Sequence, residues 1–231
     1  MISLRKIKSY IKVILRKEYP FKKEIKLNKK WIGNDYGGFY VASDFLNQES
    51  VIYSFGIGED ISFDTKLIGL YSCIVHGFDP TPRSINWINL NTTPDKFIFH
   101  DYGIDIVNGE KTFFLPEDKN FVSGSIHQTN QLKTKGIKVQ MRNLETICNE
   151  LGHSKIDVLK MDIEGSEYDI IPYLLSMNLP IDQLLIEFHH RFFEDGFSKT
   201  EEVLAMLRNN GYKLFGVSDS MQEISFIKNN K

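Results

Sequence analysis

The chain has 231 residues, 42% of them hydrophobic and 25% charged, which is enough for one well-cored domain and short for two. No apolar run approaches the roughly 18 residues of a membrane-spanning helix, and the N-terminus lacks the apolar core and small-residue cleavage site of a secretory signal. The net charge of −2 is unevenly placed: residues 1–30 hold eleven Lys/Arg and two Glu, leaving 17 basic and 28 acidic residues for a body that is therefore not a nucleic-acid platform.

Cys73 and Cys148 are the only cysteines. Lone thiols without CxxC spacing argue against a disulfide scaffold or zinc ribbon and fit a reducing, cytoplasmic setting. No repeat or low-complexity linker divides the chain, so it reads as an N-terminal extension (1–30) followed by a single domain (31–231). In residues 3–17, Leu4, Ile7, Ile11, Ile14 and Leu15 recur at helical spacing with Lys and Arg between them, and Pro20 closes the helix. Such a stripe either packs on the domain or a second copy, or lies on an anionic membrane surface and makes the protein peripheral there.

Residues 36–42 predict a short strand or lead-in, and from Val51 strand and helix signals alternate. Val51–Phe55 is a β-branched and aromatic run ending at Gly56-Ile57-Gly58. A helix is expected over 60–71, a strand over 73–79, a helix over Pro82–Leu90 and a strand over 96–102. The stretch 105–135 is less regular, with an extended segment at Thr112–Leu115 and a polar loop at 123–130. A helix over 142–151 precedes the strand 156–163, whose near-continuous apolar character suits the interior of a parallel sheet. Residues 166–177 predict a helix that holds Pro172 in its first turn or is kinked by it, followed by a strand over 183–189. An amphipathic helix over 199–210 stops at Gly211, and Tyr212–Val217 with Glu223–Lys228 predict a terminal hairpin. Alternating strands and helices imply an α/β, doubly wound sheet whose ligand crevice lies beyond the strand C-termini.

The segment Ser54-Phe55-Gly56-Ile57-Gly58-Glu59-Asp60 follows a strand and opens a helix. Glycines there let the backbone approach a ligand, although any tight strand-to-helix turn uses them too. Asp79 ends the second strand 23 residues after Gly56, where a carboxylate can take both ribose hydroxyls of an adenosine or can cap the next helix. Turn and acid together point to an adenosine cofactor without choosing between nicotinamide and S-adenosylmethionine. At period two, Lys160, Asp162 and Glu164 share one face of their strand, as Glu187 and His189 share one of theirs. Buried carboxylates are costly unless paired or in service, and Lys160 can supply the pairing for Asp162. If the two strands are neighbours, all four acceptor-side groups converge beside the cofactor.

LKMDIEGSEYDII closely resembles the hallmark of FkbM-like methyltransferases, and Asp35-Tyr36-Gly37-Gly38, YSFGIGEDISFD, HGFDPTP, RNLETICNELG and LLIEFHH match in the same order across residues 31–230. The resemblance implies a Rossmann-like methyltransferase fold with a seven-stranded, mostly parallel sheet in the order 3-2-1-4-5-7-6 and helices on both faces. It implies S-adenosylmethionine as cofactor, bound by Ser54, Gly56, Ile57, Gly58, Asp79 and Asp162, with Glu164 and Gly165 completing the signature that faces the methyl group. Two positions depart from the common pattern: Ser54 stands where many methyltransferases are acidic, and Asp60 where many have a third glycine.

On this reading the acceptor is a hydroxyl of a saccharide, glycolipid or related small molecule. His189 is expected as general base because its ordinary pKa is near neutral, Glu164 orients it or the acceptor, and Glu187 is the second candidate base. No ligand spacing demands a metal. The rivals are a nicotinamide-dependent dehydrogenase, disfavoured by the absent third glycine, and a non-catalytic nucleoside-binding module.

Overall fold

The computed structural model describes residues 3–113 and 136–229. Helix α1 (Leu4–Ile14) opens on Ser3, whose hydroxyl accepts from the Lys6 amide and satisfies one free first-turn N–H. Strands β1 (Lys30–Ile32) and β2 (Phe39–Val41) pair antiparallel. The alternation then runs β3 (Val51–Phe55), α2 (Ser62–Tyr71), β4 (Ile74–Phe78), α3 (Pro82–Leu90) and β5 (Phe97–His100). Short strands β6 (Gly103–Ile104), β7 (Gly109–Phe113) and β8 (Ile137–Arg142) lead to α4 (Leu144–Leu151) and β9 (Ile156–Met161). The chain finishes with α5 (Glu167–Ser176), β10 (Ile181–Glu187), α6 (Gly196–Asn209), β11 (Tyr212–Val217) and β12 (Glu223–Lys228).

Seven strands form one sheet in the order β11-β12-β10-β9-β3-β4-β5. β12 alone runs opposite to the other six strands. Counted within the sheet, the order is 3-2-1-4-5-7-6, as the resemblance implied. Alternate side chains feed two cores. Tyr53, Phe55, Leu159, Met161 and Leu184 pack with Leu144 of α4, Ile170 of α5 and Leu204 of α6, while Ile52, Val75, Val158 and Leu185 pack with Phe63 and Leu67 of α2. Strands buried on both faces explain the apolar runs read from the sequence. The register aligns Phe55 with Phe78, Phe55 with Met161, and Met161 with Ile186. The next residues, Gly56, Asp79, Asp162 and Glu187, therefore emerge together at the C-terminal ends of four adjacent strands.

Differences from expectation lie outside this frame. β6, β8 and β7 form a separate three-stranded sheet where the sequence read as irregular. In β8 the alternation is visible in retrospect: Val139 and Met141 are buried, Lys138 and Gln140 exposed. Of the extended segment at Thr112–Leu115, Thr112 and Phe113 belong to β7, while the remainder and the loop at 123–130 lie outside the described residues. Pro172 sits inside α5 beyond its first turn. After Lys17 the stretch expected as an extension packs on the domain. Phe21 stacks on Phe188 at 5.3 Å, the Glu24 and Ile25 amides donate to the Leu214 carbonyl, and Glu18 pairs with His190 at 2.9 Å and Arg191 at 3.2 Å. Among the described residues no helix is long and apolar enough to cross a membrane.

Candidate active site

At the end of β3 the chain turns sharply against the loop after β9. A Cβ on Gly56 would lie 1.8 Å from the Asp162 carbonyl oxygen, and its φ is +79°, so glycine alone fits. The Gly56 amide donates to the Phe78 carbonyl at 3.0 Å, and the Lys160 ammonium donates to the Gly56 carbonyl at 3.1 Å. Lys160 is thus spent on the turn and does not neutralise Asp162 as the sequence reading allowed. Asp79 is equally fixed: Oδ2 accepts from the Gly58 amide at 2.9 Å, and Oδ1 from the Thr81 amide at 2.9 Å and hydroxyl at 2.6 Å. A carboxylate has roughly four acceptor sites, so Asp79 both binds the turn together and keeps capacity for a ligand hydroxyl.

These groups line a cavity of about 480 Å³, within the usual range for a drug-sized ligand. Phe63, Phe78, Ile104, Phe113 and Met141 give it apolar walls, and Asp162, Glu164, Glu187 and Glu223 gather at its acidic end. Gly56, Ile57, Gly58, Asp79 and Asp162 of the expected cofactor set face it. Ser54 does not: it is fully buried behind the turn, where its hydroxyl lowers the pKa of Asp64. Asp64, on the first turn of α2, is a lining residue the sequence reading missed. Burial raises its pKa, with Lys160 and Ser54 opposing. An apolar slot with the fixed Asp79 carboxylate at one side and a carboxylate-rich end suits a nucleoside carrying a positive charge.

The carboxylates do not converge by strand periodicity, because β9 ends at Met161 and β10 at Glu187. Instead Glu164 adopts φ +52° and Gly165 φ +99°, a tight left-handed turn that folds the segment back over the cavity. A non-glycine residue there is uncommon and is held by its surroundings. His189 Nδ1 meets Glu167 Oε1 at 2.8 Å; Nε2 lies 3.2 Å from Glu164 Oε2, 3.7 Å from Asp162 Oδ1 and 3.8 Å from Glu187 Oε1. Asp162, Glu164 and Glu187 thus come together on the cavity, whereas His189, expected there too, is buried behind them and does not line it. Glu167, fully buried and also accepting from the Ile163 amide at 3.2 Å, was missed as their anchor, although it closes the Asp-x-Glu-Gly-x-Glu pattern. His190 faces away to Glu18.

Burial works against the charged form of His189, but Glu167, Glu164 and Glu187 outweigh it and hold its pKa well above the ordinary histidine value. Glu187 is pushed well above the carboxylate range by burial and by Asp162, with His189 opposing. The surrounding carboxylates favour the imidazolium form of His189, while burial and Asp162 favour the protonated form of Glu187. Asp162, Glu164 and His189 can each turn one ligand atom to a common point, those atoms lying within 4.8 Å of one another. A hard divalent cation and a protonated His189 are therefore alternative ways to neutralise the same carboxylates.

The family described as the methyltransferase FkbM domain matches residues 50–214. Probable methyltransferase-like protein 24 of Homo sapiens is 28% identical over 153 residues, 65% of this chain and 36% of that protein. Its counterpart in Rattus norvegicus is 27% identical over 163 residues, 70% of this chain and 39% of that protein. The chain thus spans less than two fifths of the length of these curated relatives. Among solved structures, a Methanococcus jannaschii fibrillarin pre-rRNA processing protein superposes with a TM-score of 0.48 and 13% identity, covering 80% of this chain and 69% of that one.

Proposed function

The chain belongs to the FkbM methyltransferase domain family, and on that premise we propose that it transfers the methyl group of S-adenosylmethionine to a hydroxyl of a saccharide, glycolipid or related small molecule. The observation that carries the reading is one cavity with the glycine turn and Asp79 at one side and Glu164 and Glu187 at the other, His189 being buried behind these two carboxylates. Bound there, S-adenosylmethionine supplies a methyl group already activated on a sulfonium. The protein's work is alignment, exclusion of water and acceptance of the hydroxyl proton.

Gly56, Ile57 and Gly58 would offer backbone to the nucleoside, Asp79 would take a ribose hydroxyl with its remaining acceptor capacity, and the walls of Phe63, Phe78 and Ile104 would receive the base. Asp162 favours the cationic end. Glu187, its pKa raised by burial, is the proton acceptor, because a carboxylate of ordinary pKa is a weaker base toward an alcohol. His189, the base expected from sequence, is on this reading already protonated and acts as a fixed donor beside Glu164, held in register by Glu167. A cluster of carboxylates at the acceptor end repels phosphodiesters and supports a neutral hydroxyl substrate over a nucleic acid.

Calorimetry tests the cofactor half. S-adenosylhomocysteine is expected to bind and NADH is not. Asp79→Asn, which keeps an acceptor for Thr81 but sets its amide nitrogen against the Gly58 amide, is expected to weaken binding tenfold to a hundredfold, about 1.5–3 kcal/mol, through the lost charge-assisted contact and the loosened turn. Tight NADH binding without a response to S-adenosylhomocysteine would end the methyltransferase reading.

A further inference from the structure

Helix α1 is docked on the domain by its polar face. Ser9, only 4% exposed, donates to the Ser220 carbonyl at 3.2 Å. Ser3 donates to Asp219, Arg5 reaches the Asp35 carbonyl and lies 3.9 Å from Glu223, and Lys6 lies 3.7 Å from Asp219. At 3.6 residues per turn the stripe of Leu4, Ile7, Ile11 and Ile14 is centred on the opposite side, about 180° from Ser9. Those residues are 78%, 45%, 51% and 79% exposed, and Leu15 extends the stripe at 58%. A helix that served the core would bury this face; here it points straight away from the protein. Lys8 and Lys12 border the stripe, and Arg16 and Lys17 follow it.

We propose that α1 lies flat on an anionic lipid surface, with the apolar stripe at the headgroup–acyl boundary and the lysines among anionic headgroups. Charge selects this occupant over a second copy of the chain. Residues 3–17 carry six basic and no acidic side chains, and a two-fold contact would set that patch against itself. Residues 31–231 carry 17 basic and 28 acidic residues, so an anionic bilayer attracts the helix and repels the body, which fixes the orientation. Arg5 and Tyr36 both line the cavity, so α1 stands at its rim and lipid docking sets the cavity mouth beside the bilayer. The docking does not rest on the methyltransferase reading.

Sedimentation of the full chain with vesicles is the test. The protein pellets with phosphatidylcholine vesicles containing phosphatidylglycerol, stays in solution with phosphatidylcholine alone, and is released as salt screens the lysines. The variant Ile7→Ser/Ile11→Ser, changed only at exposed positions, partitions at least about tenfold less while its circular dichroism spectrum and melting temperature are unchanged. Failure to pellet with the anionic vesicles overturns the proposal. So does a dimer in analytical ultracentrifugation that the same variant dissociates, because the stripe is then a contact between copies.

Discussion

Glu187 and His189 stand 3.8 Å apart and both pKa values are raised, Glu187 by burial and then Asp162, His189 by its carboxylate neighbours against the pull of burial, but the consequences are opposite. A raised histidine is a poor base at neutral pH, whereas a raised carboxylate is a better one. Glu187→Gln is therefore expected to cut turnover by about 10²–10⁴, the usual worth of a general base, while S-adenosylhomocysteine affinity stays within a few fold. The wild-type pH–rate profile should fall on its acid side at a pH above the ordinary carboxylate range, and the Glu187 variant should lose that limb. If His189→Gln removes the limb and Glu187→Gln does not, the base is His189. The imidazolium also bears on metals. With it in place the carboxylates need no cation, so turnover should survive exhaustive dialysis against EDTA. A loss restored by Mg²⁺ would give Asp162, Glu164 and His189 to a metal ion.

The elements that place these residues are held by backbone contacts with little slack. Gly56 passes within van der Waals range of the β9–α5 loop, so Gly56→Ala must displace either the turn or Asp162. A cost of several kcal/mol, above the roughly 1 kcal/mol typical of point changes, is expected in denaturant melts, with cofactor binding lost even where a folded fraction persists. The sequence displayed this frame because parallel interior strands are apolar on both faces, so Val51–Phe55 and Ile156–Met161 read as strands without tertiary information. It displayed the glycine turn and Asp79 because such turns admit few residue types. Three things it did not display. β8 alternates over only a few residues, and its partner β7 is separated from it by 23 residues of chain. Glu164 reaches His189 through a left-handed turn that no periodicity encodes. The roles of Asp64 and Glu167 depend on which side chain is buried against which, a property of packing and not of spacing.

Across the whole molecule, two titrating clusters act on stability in opposite senses. In the cavity, burial raises Asp64 and Glu187, so they take up protons more readily folded than unfolded and favour the fold as pH falls through their range. On the sheet near β5, His76 does the reverse. It is 7% exposed, its Nδ1 lies 3.0 Å from His100 Nε2, and His153 packs edge-on at 5.2 Å, with Tyr53 and Phe78 closing the sides. Burial first, and then His100 and His153, lower its pKa to about 4. A folded-state pKa below the unfolded value near 6.5 means that the unfolded chain binds the extra proton. The neutral His76 therefore contributes nothing unfavourable above pH 6.5, and stability drains away as pH falls from there towards 4. The full loss is on the order of 3 kcal/mol. Because the cavity carboxylates oppose this trend, the measurement is a difference. The gap in unfolding free energy between wild type and His76→Gln, from urea melts, should move in favour of the variant by that amount between pH 7 and pH 4. A gap independent of pH would mean that water reaches the imidazole and that the packing around His76 is looser than these contacts describe.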